Sequence, residues 1–136
     1  MEAVFDMECL IPLKKSFTKF IGEKLQKDKI PSSFVPFLKA LSIQEFKSQQ
    51  ELSEYVSCNK AHTSRTLIKM QLSGLVRPTC FKNTIELTEK GKAYAEKVSL
   101  AENEFLDEIF SSVTEKEKDT FNKVIQKMLS QAKKEQ

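Results

Sequence analysis

The chain has 136 residues and a net charge of +3, a length suited to one domain and too short for two domains with separate cores. Its 40% apolar and 30% charged residues exclude a disordered chain, and its three glycines and four prolines are too few for a turn-rich β protein. No apolar run approaches the ~20 residues of a membrane span, and the N-terminus lacks the basic start of a signal peptide, so we expect a cytoplasmic protein.

The basic residues gather in one part of the chain. Residues 55–85 contain five of the 22 basic residues and none of the 19 acidic ones, together with the only histidine, His62. A basic island in an otherwise slightly acidic chain predicts a surface that binds a polyanion. Chance clustering in a solvated region is the alternative.

Apolar spacing predicts helices at the start of the chain. The first covers residues 3–27, where Pro12 either starts the regular part or kinks the helix. Ser33 is a candidate N-cap for a second helix that runs to about residue 42, with Pro36 in its first turn.

Residues typical of helix caps mark the ends of the next two helices. Ser48 begins a capping-box pattern that predicts a short helix ending at residue 56. Asn59 is the candidate N-cap of a helix over residues 60–73, and Gly74 is well placed as the residue that ends it.

The hydrophobic period changes after Gly74. Residues 75–80 and 84–87 are predicted to form two short strands joined by a turn. Thr88 is the candidate N-cap of a fifth helix, and Thr114 begins a second capping-box pattern before the most regular amphipathic helix of the chain. The order is therefore four helices, a hairpin and two helices.

Two short helices that are joined by a three-residue turn and followed by a hairpin predict a winged helix-turn-helix. In the second of these helices Thr63, Leu67 and Met70 face inward. The opposite stripe is small and polar near its N-terminus and contains one long cation, Arg65. A DNA major groove suits this stripe, because small residues let the backbone approach and an arginine can pair with a guanine edge.

The segment Leu52–Val76 resembles the recognition module of the MarR family of bacterial transcription regulators. The family's motifs match this segment in order and without a gap. Its leucine followed by a small residue falls on 52–53, and its short turn falls on 57–59. Its Ser-Arg pair falls on 64–65 and its Gly-Leu-Val on 74–76. The sequence Leu87–Gly91 resembles the stretch that follows the family's wing. The Asp-x-Arg near the tip of the family's wing is missing here.

This resemblance implies a mostly α fold with a small β-hairpin wing, and a homodimer that binds an inverted-repeat operator as a repressor or an activator. It implies a single domain over residues 1–136, with a DNA-binding module at 30–92 and dimerisation helices at 1–29 and 93–136. The protein would be nucleoid-associated when bound to double-stranded DNA.

One set of residues is predicted to contact DNA. Arg65 is the expected base reader, supported by Ser64, Ala61 and His62. Other cations, and the start of the preceding helix, are expected to hold phosphates. The full set is Ser48, Lys60, Ala61, His62, Ser64, Arg65, Lys69, Arg77 and Lys82.

The helices at the two chain ends carry wide apolar stripes. They consist of Leu10, Leu13, Phe17, Phe20 and Ile21 on the first helix and Phe121, Val124, Ile125, Met128 and Leu129 on the last. Such stripes are rarely tolerated in water on a monomer, so we expect a homodimer that buries them. Intramolecular packing into one helical cap is the alternative.

The resemblance also implies regulation. Small aromatic effectors of the family bind where the first two helices meet the winged module, which makes Phe17, Phe20, Phe34 and Phe37 candidate pocket residues as well as expected core residues. Some family members sense peroxides through a cysteine of the N-terminal helix. Cys9 and Cys58 are therefore candidate redox sensors, with a structural thiol as the alternative for each.

No cofactor, metal or catalytic activity is predicted. His62, Cys58 and Cys80 fit no zinc spacing, and the sequence offers neither a Gly-rich phosphate loop nor a catalytic constellation. We therefore expect a protein that is not an enzyme. The alternative function is an antirepressor-like, winged-helix protein-interaction module, whose outward stripe would be apolar. Ile68 is the only apolar residue of that stripe.

Overall fold

The computed structural model of the chain describes residues 5–78 and 84–135, the last without its side chain. The described residues contain six α-helices. They are α1 (Leu10–Gln26), α2 (Val35–Ile43), α3 (Gln49–Val56), α4 (Lys60–Leu72), α5 (Glu89–Ile109) and α6 (Glu115–Glu135). None of these helices is both long enough and apolar enough to cross a membrane.

The chain forms two compact units, Met1–Asn103 and Glu104–Gln136. The first unit contains α1 to α4 and most of α5, and the second contains the end of α5 and all of α6. The prediction of a mostly α fold is confirmed.

The first two helices start later than the sequence predicts. A 3₁₀ turn, Met7–Cys9, precedes α1, so Pro12 lies in the first turn of α1, where a missing N–H is tolerated. Ser33 lies inside a second 3₁₀ turn, and α2 begins at Val35 without a side-chain cap. The prediction of Ser33 as N-cap is therefore wrong. Pro36, in the first turn of α2, is placed as predicted.

The predicted caps of α3 and α4 are confirmed. Ser48 Oγ accepts a 3.1 Å hydrogen bond from the Glu51 N–H, and the Glu51 carboxylate accepts one from the Lys47 N–H at 3.2 Å. Asn59 Oδ1 accepts a 2.7 Å bond from the His62 N–H. Gly74 follows α4 with a positive φ of 76°, a conformation that glycine adopts without a Cβ penalty.

The base of the predicted hairpin is present as isolated bridges. Val76 pairs with Leu87 in antiparallel fashion, and Ile85 pairs with Phe46. The Ile85 N–H donates to the Phe46 carbonyl oxygen at 2.7 Å, so a residue before α3 adds a third backbone segment that the sequence did not predict. The predicted turn, with Lys82 and the end of the first strand, lies outside the described residues.

The core of the first unit joins α1 to the helix-turn-helix and to α5. Its fully buried large side chains include Phe37, Phe46, Leu52, Met70 and Val98. Gly91 of α5 lies against this assembly, because a Cβ at this position would collide with the Leu75 carbonyl oxygen. Only a residue without a side chain lets α5 approach so closely.

An ion pair fastens α5 to the turn that follows α1. Lys97 Nζ lies 2.7 Å from Asp28 Oδ1, and this hydrogen bond raises the pKa of Lys97 above its ordinary value. The Lys97 and Asp28 side chains are 47% and 36% exposed, so solvent screens the pair and it contributes little to stability.

The second unit begins α6 with the predicted capping box. Thr114 Oγ1 accepts from the Glu117 N–H at 3.1 Å, and Glu117 Oε1 accepts from the Thr114 N–H at 3.0 Å. Phe110 and Phe121 pack edge to face with ring centroids 6.2 Å apart. Helix α5 ends at Ile109, so Val113 lies in the turn that leads to α6.

Candidate nucleic-acid interface

Helices α3 and α4 form a helix-turn-helix through the residues Ser57–Asn59. Ser57 has a left-handed backbone, with φ of 57°, and the Cys58 N–H donates to the Ser53 carbonyl oxygen at 3.0 Å. This tight turn reverses the chain after α3, and Asn59 then caps α4.

Buried side chains fix the rotation of α4 about its axis. Thr63, Thr66, Leu67 and Met70 are buried. The two threonine hydroxyls donate to backbone carbonyl oxygens one turn earlier, Thr63 at 3.0 Å and Thr66 at 2.8 Å, so neither is left unsatisfied. The inward face predicted from the sequence is therefore confirmed.

The remaining side of α4 is exposed and basic. We call it the outward face, and it consists of Lys60, Ala61, Ser64, Arg65, Ile68 and Lys69. Ser64 is half-buried and the others are exposed. In residues 5–78 and 84–135 no carboxylate forms an ion pair with Lys60, Arg65 or Lys69. Their charges, together with the partial positive charge of the helix N-terminus, face solvent.

Three other predicted DNA-contacting residues have partners of their own. His62 is half-buried, with its ring centroid 6.0 Å from that of Phe37. Arg77 Nε lies 3.3 Å from a Glu86 carboxylate oxygen, and Ser48 Oγ caps α3. Lys82 is not among the described residues. The structure therefore places Lys60, Ala61, Ser64, Arg65 and Lys69 together on the outward face, whereas Ser48, His62 and Arg77 make contacts within the protein.

The C-terminal end of α4 is tied to the first turn of α5. Thr88 Oγ1 donates to the Gly74 carbonyl oxygen at 2.5 Å and accepts from the Gly91 N–H at 3.0 Å. Lys90 Nζ donates to the Ser73 carbonyl oxygen at 3.0 Å. The sequence predicted Thr88 only as an N-cap. Nothing in the local pattern indicated its second bond, because the two partners are 14 residues apart.

The predicted effector phenylalanines have different environments. Phe34 and Phe37 are 3% and 0% exposed and belong to the core. A cavity of about 320 Å³ is lined by Phe17, with the Lys14 and Lys39 ammonium groups 5.1 and 5.6 Å from its ring centroid. The other lining residues are Val35, Pro36, Ala40, Ile43, Tyr55 and Val56, so the cavity includes only one of the four predicted residues.

The two candidate redox cysteines have different environments. Cys9 is exposed just before α1. Cys58 is half-buried against the core, with its thiol 3.7 Å from the Val56 carbonyl oxygen. Across the described part of the chain, no three His, Cys, Asp or Glu side chains are arranged to hold a metal ion.

Comparison with solved structures defines the fold. A MarR transcriptional regulator from Methanosarcina mazei Go1 superimposes with a TM-score of 0.86 and 24% identity, over 98% of this chain and 96% of that chain. The chain has the MarR fold. The reduced form of MarR from E. coli gives a TM-score of 0.74 with 20% identity, over 93% of this chain and 96% of that one. The resemblance found in Leu52–Val76 is thereby confirmed in the fold.

A third structure with the MarR fold contains DNA. It is a MarR family protein from Mycobacterium tuberculosis, solved as a complex with DNA, with a TM-score of 0.70 and 19% identity over 92% of this chain and 98% of that chain. No protein-family model and no curated protein matches the sequence.

Proposed function

We propose that the chain is a DNA-binding transcription regulator that inserts α4 into the DNA major groove. The observation that carries this proposal is the outward face of α4, which presents three solvent-facing cations and two small residues on a helix rotated by its buried threonines. The MarR fold, and a protein of this fold solved with DNA, support it.

Each residue of the outward face has a role in this proposal. Arg65 would form a bidentate pair with a guanine edge, and Ser64 would bond an adjacent base or phosphate. Ala61 lets the helix backbone approach the bases. Lys60 and Lys69 would neutralise phosphates on the flanking strands.

The residues with partners of their own have secondary roles. Ser48, Arg77 and Lys82 would contact phosphates outside the groove, with Arg77 keeping its bond to Glu86. His62 would support α4 from its flank, next to Phe37. Three of these four side chains also have a protein partner, Glu51 for Ser48, Glu86 for Arg77 and Phe37 for His62.

We further propose a homodimer. On α6, the side chains of Phe121, Val124, Met128 and Leu129 are between 43% and 51% exposed. On α1, Leu10, Ile11 and Leu13 are between 41% and 50% exposed. Burying a fully exposed side chain of this size stabilises by ~1.5–3 kcal/mol, so burying the exposed half of each would contribute roughly half of that. A second copy provides an equal apolar surface.

A two-fold dimer would place two α4 helices about one DNA turn apart, ~34–36 Å, so the operator would be an inverted repeat. In this arrangement residues 30–92 bind DNA, and residues 1–29 and 93–136 hold the two copies together. Release by a small aromatic effector, or by oxidation of Cys9 or Cys58, stays a prediction.

Selection from a pool of random-sequence duplexes tests the proposal. The protein is expected to enrich an inverted repeat, and its affinity for the enriched duplex should fall steeply with added salt. Failure to enrich any sequence, at any salt concentration, would contradict sequence-specific DNA binding.

One observation favours a protein-interaction module as the second candidate. Ile68 and Leu72 are 55% and 83% exposed on α4, more apolar surface than DNA binding through polar contacts requires. If a protein partner covers these two residues, a pull-down would return that partner in stoichiometric amount and DNA would not compete with it.

A further inference from the structure

Ile68 is the one large apolar side chain in the outward face of α4. It can form neither a hydrogen bond nor an ion pair with DNA. It is 55% exposed and lies between Arg65 and Lys69 on a helix without acidic residues. Water surrounds this side chain in the free protein. A partner that covers Ile68 would have to offer an apolar group within a negative surface, because cations flank this side chain on both sides.

The DNA major groove contains one apolar group, the C5 methyl of thymine. An α-helix rises ~1.5 Å per residue, so Ile68 lies about 4.5 Å beyond Arg65 along α4. Neighbouring base pairs are ~3.4 Å apart. A guanine bound by Arg65 would therefore bring Ile68 to a base one or two steps away.

Isoleucine is suited to such a contact because its χ1 angle is already restricted in a helix. Ordering it against a methyl group costs little side-chain entropy compared with ordering a longer, unbranched side chain. Leu72 is equally apolar and more exposed, at 83%, but it is the last residue of α4 and lies about 10.5 Å beyond Arg65, about three base-pair steps from the guanine.

We propose that Ile68 is a specificity-determining residue that selects thymine through its C5 methyl group, one or two base pairs from the guanine bound by Arg65. This inference rests on the proposed DNA binding by α4. It adds a preference for a base that no hydrogen bond from the outward face requires.

Deoxyuridine substitution tests the proposal. The duplex enriched by the wild-type chain is synthesised with each thymine in turn replaced by deoxyuridine, which removes only the methyl group. Affinities are measured for the wild type, Ile68→Ala, Ile68→Val and Leu72→Ala, after circular dichroism has shown that each variant is folded. Leu72→Ala is the matched control, because it removes an exposed apolar side chain from the same helix.

At one thymine position in each half-site, replacement by deoxyuridine is expected to lower the affinity of the wild type roughly fourfold. This is the change in affinity that corresponds to burying one methyl group. Ile68→Ala should bind the thymine and deoxyuridine duplexes equally, Ile68→Val should keep part of the difference, and Leu72→Ala should behave as the wild type.

Two results would overturn the inference while leaving DNA binding intact. One is equal wild-type affinity for all deoxyuridine duplexes, and the other is a methyl effect that survives in Ile68→Ala. If the pool yields no enriched duplex, the proposed function fails first and the inference fails with it.

Discussion

The Thr88 hydroxyl donates a 2.5 Å hydrogen bond to the Gly74 carbonyl oxygen and accepts another from the Gly91 N–H at 3.0 Å. One side chain thus bonds the backbone that follows α4 and caps the N-terminus of α5. The orientation of α4, on which DNA contact would depend, is thereby connected to the helix that leads to the C-terminal end of the chain.

We predict that Thr88→Val lowers the free energy of unfolding by about 1–3 kcal/mol, because a capping acceptor is lost and the Gly74 carbonyl oxygen loses its donor. Urea denaturation at fixed protein concentration measures the change. Thr18→Val is the control, since the exposed Thr18 hydroxyl bonds only within α1, and it should change stability by less than about 0.5 kcal/mol. Equal effects of the two substitutions would contradict a special role for Thr88.

The two helical glycines are predicted to respond to alanine with opposite signs. Gly91→Ala would place a Cβ against the Leu75 carbonyl oxygen, and the shift needed to relieve this clash should cost about 1–3 kcal/mol. A Cβ at Gly22, in α1, would meet no heavy atom within 4 Å, so Gly22→Ala should stabilise by about 0.4–1 kcal/mol. Thermal unfolding of both variants decides the matter. A stabilising Gly91→Ala would show that α5 does not approach Leu75 so closely.

Arg65 is predicted to provide sequence preference through its planar guanidinium. Arg65→Lys keeps the charge but loses the bidentate geometry, so the preference for the enriched duplex over a scrambled one should fall by about 1–3 kcal/mol. The slope of affinity against salt should stay as in the wild type. Lys60→Ala, at a proposed phosphate contact, should instead reduce this slope by about one and leave the sequence preference unchanged. Fluorescence anisotropy at several salt concentrations measures both quantities, and an unchanged preference in Arg65→Lys would exclude Arg65 as the base reader.

The apolar face of α6 is predicted to hold the dimer together. Met128 is 43% exposed, and Met128→Asp would place a charge in the proposed interface, so sedimentation velocity should find monomers at micromolar concentration. Ser130→Asp is the control, because two residues further along a helix is nearly the opposite side. This variant should remain a dimer. A monomeric wild type would contradict the dimer directly.

Acid is predicted to weaken the start of α6. The Thr114 N–H, followed by the Thr114 side chain, holds the pKa of Glu117 below its ordinary 4.5. Because this pKa is lowered by folding, the stabilisation is present above pH 4.5 and is lost as the pH falls through the lower folded value. Glu117→Gln should therefore reduce the loss of helix content at acid pH, which circular dichroism measures as a function of pH. Glu115→Gln is the control in the same turn and should leave that loss unchanged.

The sequence predicted correctly, with Ser33 as the exception, the features that depend on residues three or four positions apart. The caps at Ser48, Asn59 and Thr114 each join a side chain to a backbone N–H three residues later, and all are formed as predicted. The inward face of α4 likewise follows from helical spacing alone. These features determined the helix-turn-helix and the basic face that the proposed function uses.

The tertiary structure decided the features that join distant residues. The pairing of Phe46 with Ile85, the ion pair of Arg77 with Glu86 and the bond from Thr88 to Gly74 depend on how the helices pack, which no local pattern encodes. Packing also placed Phe34 and Phe37 in the core and left the outward face of α4 in solvent. The sequence determined which side of α4 is apolar and which is basic, because helix periodicity is local. Only the packed core decided that the basic side stays in solvent, because burial depends on every neighbouring element.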